Sequence, residues 1–198
     1  MTVIAAVEED GVVYLAGDRC LTRGNRTAVL AHPKIAELTT SGRNPRTLVV
    51  GVCGTYGSLP GLFTATNVPS VHPRMEPWVW LQQCFAPWLA NHLLGEHKGH
   101  AANELEGCML VAYAARLWQI DGGLSVCPIA SGRPVAIGSG GQFAEGAMQA
   151  LRALGSVGPD ALVRAGVEAA CSLDAYCCLP VDEVAVGAPP RRRRRNAA

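Results

Sequence analysis

The sequence predicts an α+β domain in which antiparallel sheets stack on one another and helices cover them from outside. Three observations carry this. Short β-branched runs open the chain and recur in its middle. Helical periodicity appears once before the middle strands and twice after them. A last β-branched run then closes the order strands, helix, strands, helices, strand. At 198 residues the length fits one domain with a core of its own. A hydrophobic share of 49% against 17% charged residues is that of a globular chain. No apolar run approaches the roughly 20 residues that a membrane span requires.

The elements follow in order. Residues 3–7 and 12–16 are apolar runs flanking Glu9-Asp10-Gly11, which reads as a hairpin with a D-G turn. Residues 34–38 alternate and predict a strand, with Lys34 at its start. Residues 43–45 turn the chain into 47–53, an apolar, β-branched run suited to burial on both faces. From 54 to 77 the density of Gly, Pro, Ser and Thr predicts no helix. Pro77 suits a first helical position, and 78–94 carry apolar residues at helical spacing, with a kink expected at Pro87. Residues 108–115, 117–120 and 124–128 read as strands, 141–154 and 159–172 as helices, and 181–186 as the last strand. The domain is expected to span residues 2–187, and the Pro/Arg-rich residues 188–198 to be a disordered tail.

Charge and cysteine usage narrow the function. The formal net charge of +1 hides the run Arg191–Arg195, without which 12 basic residues face 16 acidic ones and the body sits near −4. Such a body is no basic nucleic-acid surface. The arginine run can bind phosphate nonspecifically, but no aromatic interleaving or reading helix accompanies it. Eight cysteines (Cys20, Cys53, Cys84, Cys108, Cys127, Cys171, Cys177, Cys178) form no C-x-x-C pair, which speaks against zinc and thioredoxin-like chemistry. Acidic residues arrive by Glu8, so the start does not read as a secretory leader. The expectation is reduced thiols in a cytoplasmic protein, with no cofactor and no metal. His97 and His100 have a metal-like spacing, but Gly95 and Gly99 break the helix that would present them.

Thr2 stands directly behind the initiator. Alone, it reads as a small residue in an edge strand. Freed by loss of Met1, it would carry both a hydroxyl and an α-amine that titrates near 7.7–8.0, neutral enough to serve as the hydroxyl's base. Such a site needs a lysine to favour the neutral amine and the developing alkoxide, a carboxylate to hold that lysine, and backbone N–H groups to receive an oxyanion. The chain offers Asp18 in AGDR, Lys34 in PKIAEL and Gly54 in GVCGT, each at the edge of a strand. Lysine occurs only at 34 and 98, and one leading an apolar strand is unusual.

The pattern T-x-I-x-A-V-x-x-x-G-x-V-x-x-A-G-D at residues 2–18 resembles the start of the proteasome β-type family of N-terminal nucleophile hydrolases, its HslV-type peptidases most of all. Lys34 stands 32 residues after Thr2 and Asp18 stands 16 after it, the family's spacings. Arg19 resembles the arginine that follows this aspartate in core proteasome β subunits. VAIGSGGQFAEGAMQAL resembles the family's A-I-G-S-G-G stretch, with Ser139 at its active-site serine. DAYC resembles D-A-Y-S, which puts Asp174 at the matching aspartate and Cys177 in place of a serine.

The resemblance covers about residues 2–186. It implies a four-layer αββα sandwich and a threonine-type endopeptidase working inside a homo-oligomeric double ring. Its substrates would be unfolded polypeptides and its partner an ATP-dependent unfoldase. Thr2 would be the nucleophile, Lys34 and Asp18 its supports, Gly54 an oxyanion donor, and Ser139 and Asp174 the groups that tune the amine. Two departures stand out. Cys177 donates more weakly than serine, and residues 56–77 carry Gly57, Pro60, Gly61, Pro69, Pro73 and Pro77 where the family has a long regular helix. They leave room for a second reading, a catalytically silent scaffold subunit of the same fold.

Overall fold

A strand without a polar face must be covered on both sides, and the first strand shows how this chain does it. In the computed structural model, which describes residues 2–23, 26–54, 62–94, 107–155 and 157–187, β1 (Val3–Glu9) is fully buried from Val3 to Val7. It lies inside an antiparallel sheet of order β10-β1-β2-β11, with β2 (Val12–Asp18), β10 (Val135–Gly138) and β11 (Val181–Val186). The β1–β2 turn has Asp10 and Gly11 at φ +52° and +77°, the left-handed pair that a two-residue hairpin demands.

Ile4 and Ala6 of β1, with Val13 and Leu15 of β2, face a second sheet of order β5-β6-β7-β8-β9. Its strands are β5 (Ile35–Thr39), β6 (Thr47–Gly54), β7 (Gly107–Tyr113), β8 (Arg116–Ile120) and β9 (Val126–Pro128). They contribute Ile35, Val49, Cys53, Leu110, Ala112 and Leu117 to that interface. Ile4 is the plug between the sheets. A Cβ on Gly17 or on Gly51 would stand 2.6 Å from one of its methyl groups, and its full burial contributes about 1.5–3 kcal/mol.

Period-two alternation sends the neighbouring side chains the other way. Val3, Ala5, Val7 and Ala16 pack on Ala144 and Met148 of α3 (Gly141–Leu154) and on Leu162, Val163, Val167 and Ala170 of α4 (Pro159–Leu173). On the second sheet, Leu48, Val50, Val52, Met109, Val111, Trp118 and Ile120 meet Trp80, Leu81, Phe85 and Leu89. Those last four residues come from α1 (Pro77–Trp80), a π-helical turn (Leu81–Phe85) and α2 (Ala86–Leu94).

Several boundaries differ from the sequence reading. Where the sequence predicts a kink at Pro87, the structure has a π turn just upstream, in which Ala86 N–H donates to Leu81 O. Proline lacks an N–H and crowds the preceding turn, so the helix widens before it. The strand predicted over 108–115 stops at Tyr113, because Ala114 and Ala115 form a two-residue turn at φ +54° and +57°. Lys34 lies just outside β5, which begins at Ile35. A hairpin of β3 (Cys20–Arg23) with β4 (Arg26–Val29), and the short β10, were not anticipated. His97, His100, residues 55–61 and residues 188–198 lie outside the described residues. No helix among the described residues is long and apolar enough to cross a membrane.

Candidate active site

The register of β1 and β2 sets the site. Ile4 opposes Gly17, so the residue before Ile4 meets the residue after Gly17. Val3 N–H accordingly donates to Asp18 Oδ1 at 2.9 Å. Asp18 is fully buried, and a buried carboxylate is tolerated only when hydrogen bonds replace its water. Here they do. Oδ1 also accepts from Lys34 Nζ at 2.8 Å, and Oδ2 accepts the N–H groups of Cys20 at 2.9 Å and Cys178 at 3.4 Å.

Lys34 reaches the site because its backbone is already fixed. Val52 N–H of β6 donates to Lys34 O at 3.1 Å. Its side chain, only 2% exposed, runs inward and donates from Nζ to Thr2 Oγ1 at 2.6 Å as well as to Asp18. Thr2 itself is 4% exposed. One ammonium thus bridges a carboxylate and a hydroxyl, out of water. In that geometry the lysine is a donor towards Oγ1. It can stabilise a developing alkoxide, and the base that takes the hydroxyl proton must be another group.

The carbonyl of Thr2 is wrapped by the β10–α3 turn. Gly140 N–H lies 3.4 Å from Thr2 O, and Ser139 Oγ approaches it at 3.5 Å. Gly138 is at φ +95°, and a Cβ there would stand 2.1 Å from the same oxygen, so only glycine fits. Ser139 also hydrogen-bonds Asp174. Burial acts to raise the Asp174 carboxyl, but bonds from Tyr176 N–H at 3.0 Å, Ser139 and the Cys177 thiol outweigh it and leave it below the ordinary range. Cys177 reaches Asp174 Oδ2 at 3.5 Å. Burial, together with the charges of Asp18 and Asp174, pushes its thiol up, so it stays a protonated, weak donor.

The structure therefore joins Thr2, Asp18 and Lys34 directly, with Ser139 next to Thr2 and Asp174 one bond further out. Gly54 is linked only through the backbone. It ends β6 at φ +136°, exposed, two residues beyond the Val52 that holds Lys34. Sequence reasoning missed the backbone donors of Cys20 and Cys178 and the wrap by Gly138 and Gly140. It also missed Asp182, which takes a bidentate pair from Arg19 at 2.7 and 2.6 Å and ties β11 to the end of β2. Asp18, Cys20 and Cys178 bring an oxygen and two sulfurs within 4.8 Å of one another. The Asp18 oxygens already accept two donors each, which uses a carboxylate's capacity and argues against a metal there.

No protein-family model matches the sequence, and no curated protein matches it. Solved structures do. BPH of Thiobacillus denitrificans is 22% identical with a TM-score of 0.71, matching 96% of this chain and 100% of its own. The same protein in complex with epoxomicin is 21% identical with a TM-score of 0.73 over the same shares. Eukaryotic HslV from Trypanosoma brucei is 24% identical with a TM-score of 0.64, over 94% of this chain and 100% of its own. The chain has the proteasome β-type, HslV-like fold.

Proposed function

We propose that this protein is an N-terminal threonine peptidase whose nucleophile, Thr2, is exposed by removal of Met1. One observation carries the reading: a buried ammonium, Lys34 Nζ, lies 2.6 Å from Thr2 Oγ1 and 2.8 Å from Asp18 Oδ1. A structural ion pair has no need of a hydroxyl at that distance. A nucleophile does.

The freed α-amine of Thr2 takes the hydroxyl proton as Oγ1 attacks a peptide carbonyl, and Lys34 stabilises the charge that develops. Asp18 positions Lys34. The N–H of Gly54 receives the oxyanion, and Ser139 with Asp174 tunes the amine. The amine returns its proton to the leaving peptide nitrogen, and water then hydrolyses the ester. The three apolar clusters, helix to sheet, sheet to sheet and sheet to helix, support a four-layer αββα sandwich. Unfolded polypeptides are the proposed substrates, within a homo-oligomeric double ring fed by an ATP-dependent unfoldase.

Intact mass tests the nucleophile. The purified protein is expected to start at Thr2 and to gain the mass of one epoxomicin, with Thr2→Ala gaining none and hydrolysing no fluorogenic peptide. Retained Met1 in active material would overturn the mechanism, and an inert but correctly processed chain would leave the silent scaffold. Assembly is tested separately. Light scattering should find a large closed oligomer, and a fully active monomer would refute the ring.

A further inference from the structure

Cys53 and Cys108 take no part in the chemistry above, yet they face each other beside it. They are direct partners across β6 and β7, and their sulfurs lie 3.1 Å apart as free thiols sharing one hydrogen bond. Residues directly opposed on antiparallel strands have Cα atoms about 4.5–5.5 Å apart, and a disulfide spans about 4.4–6.8 Å. Bond closure therefore needs the two sulfurs to approach by about 1 Å, with no rearrangement of the sheet.

The surroundings set the pair apart from the other thiols. Cys53 follows Val52, whose N–H holds Lys34, and the Lys34 charge acts on its sulfur. Cys108 receives a backbone hydrogen bond from Gly138, the residue that wraps Thr2. The next pair outward, Gly54 with Gly107, is two residues without side chains, and Gly54 is exposed. Among the described residues, that pair puts no side chain of its own beside the sulfurs.

We propose that Cys53 and Cys108 form a redox-modification site, a dithiol that a hydroperoxide converts into a cross-strand disulfide. The two sulfurs have different roles. The hydrogen bond from Cys108 is the main influence holding the Cys53 thiol down, to about 7, with burial opposing and Lys34 assisting. The same bond and burial push Cys108 up. Cys53 is then the attacking thiolate. Its sulfur takes the terminal oxygen of the peroxide, the O–O bond breaks, and the departing alkoxide or hydroxide takes a proton, leaving Cys53 as a sulfenic acid. Cys108 next attacks that sulfur, the S–O bond breaks, and the thiol proton leaves with hydroxide as water. Two thiols are oxidised by two electrons and one peroxide is reduced by two. Cys20 and Cys178 make the competing pair, but there burial and the charge of Asp18 oppose a thiolate at Cys178, whereas Cys53 has the Lys34 charge acting on it.

The test is made on the full reduced chain with hydrogen peroxide, followed by alkylation, digestion and mass mapping. The expected result is one reversible intramolecular bridge joining Cys53 to Cys108, two hydrogens lost, and the other six cysteines still alkylated. Cys108→Ser should stop at a sulfenic acid that dimedone traps on Cys53. Cys53→Ser should slow peroxide-dependent thiol loss about tenfold or more. Serine nearly preserves the shape, and a thermal melt confirms that each variant is folded. A bridge between Cys20 and Cys178, a bridge between chains, or unchanged alkylation of Cys53 would overturn the proposal. The readout is mass, so the site stands or falls independently of the peptidase reading.

Discussion

Replacing Lys34 by alanine is expected to abolish peptide hydrolysis and to cost about 3–5 kcal/mol of stability at once. The two losses have one origin. Lys34 is the cation against a fully buried Asp18 carboxylate, and it is the donor to Thr2 Oγ1. Without it the carboxylate is left as an uncompensated buried charge. For a chain of this size the thermal midpoint should fall by about 6–20 °C. The rate should fall by at least about 10²–10³, the loss typical of one donor to a developing anion, and by more where nucleophile and base act as a unit. Lys34→Arg should rescue little, since a planar guanidinium cannot reproduce a compact ammonium between two oxygens. Fluorogenic-peptide hydrolysis is measured well below each variant's midpoint, so that unfolding is not mistaken for lost chemistry. Equal rates for wild type and a folded, assembled Lys34→Ala would show that the site is wrong.

Asp18→Asn should be nearly as damaging, although it conserves shape. Four donors converge on the carboxylate: Val3 N–H, Lys34 Nζ, Cys20 N–H and Cys178 N–H. An amide turns one accepting end into a donor, so whichever way it sits two of those groups face an NH₂. It also removes the charge that compensates Lys34. A stability loss of about 3–5 kcal/mol is expected. If both residues belong to one unit, Asp18→Asn combined with Lys34→Met should be little worse than the poorer single variant. Additive losses in denaturant unfolding would show that the two residues stabilise the protein independently.

Much of this was legible in the residues, and the exceptions have physical causes. The β1–β2 hairpin announces itself through Asp10-Gly11, whose left-handed turn is easy for that pair. Ala114-Ala115 makes a turn of the same kind with residues that carry no such signal. The β3–β4 hairpin was invisible because β4 is exposed throughout, so no alternation of burial marks it. In the site, Lys34 was conspicuous as a scarce cation leading an apolar strand, and its spacing from Thr2 and Asp18 matched a known pattern. The donors from Cys20 and Cys178 left no trace, since any residue but proline supplies an N–H. Cys53 and Cys108 were visible as cysteines, but their opposition depends on a strand register 55 residues apart.

The Cys178 N–H that completes the Asp18 cage lies 160 residues along the chain from it. During synthesis, Thr2, Asp18 and Lys34 leave the ribosome long before Cys178 and the β11 strand that follows it. Until then β2 lacks its β11 neighbour and the Asp18 carboxylate lacks one of its four donors. The cage is thus closed by a long-range contact, and the order of translation sets when it can close. A fragment ending before residue 178 would carry Thr2, Asp18 and Lys34 without that fourth donor and without the β2–β11 pairing.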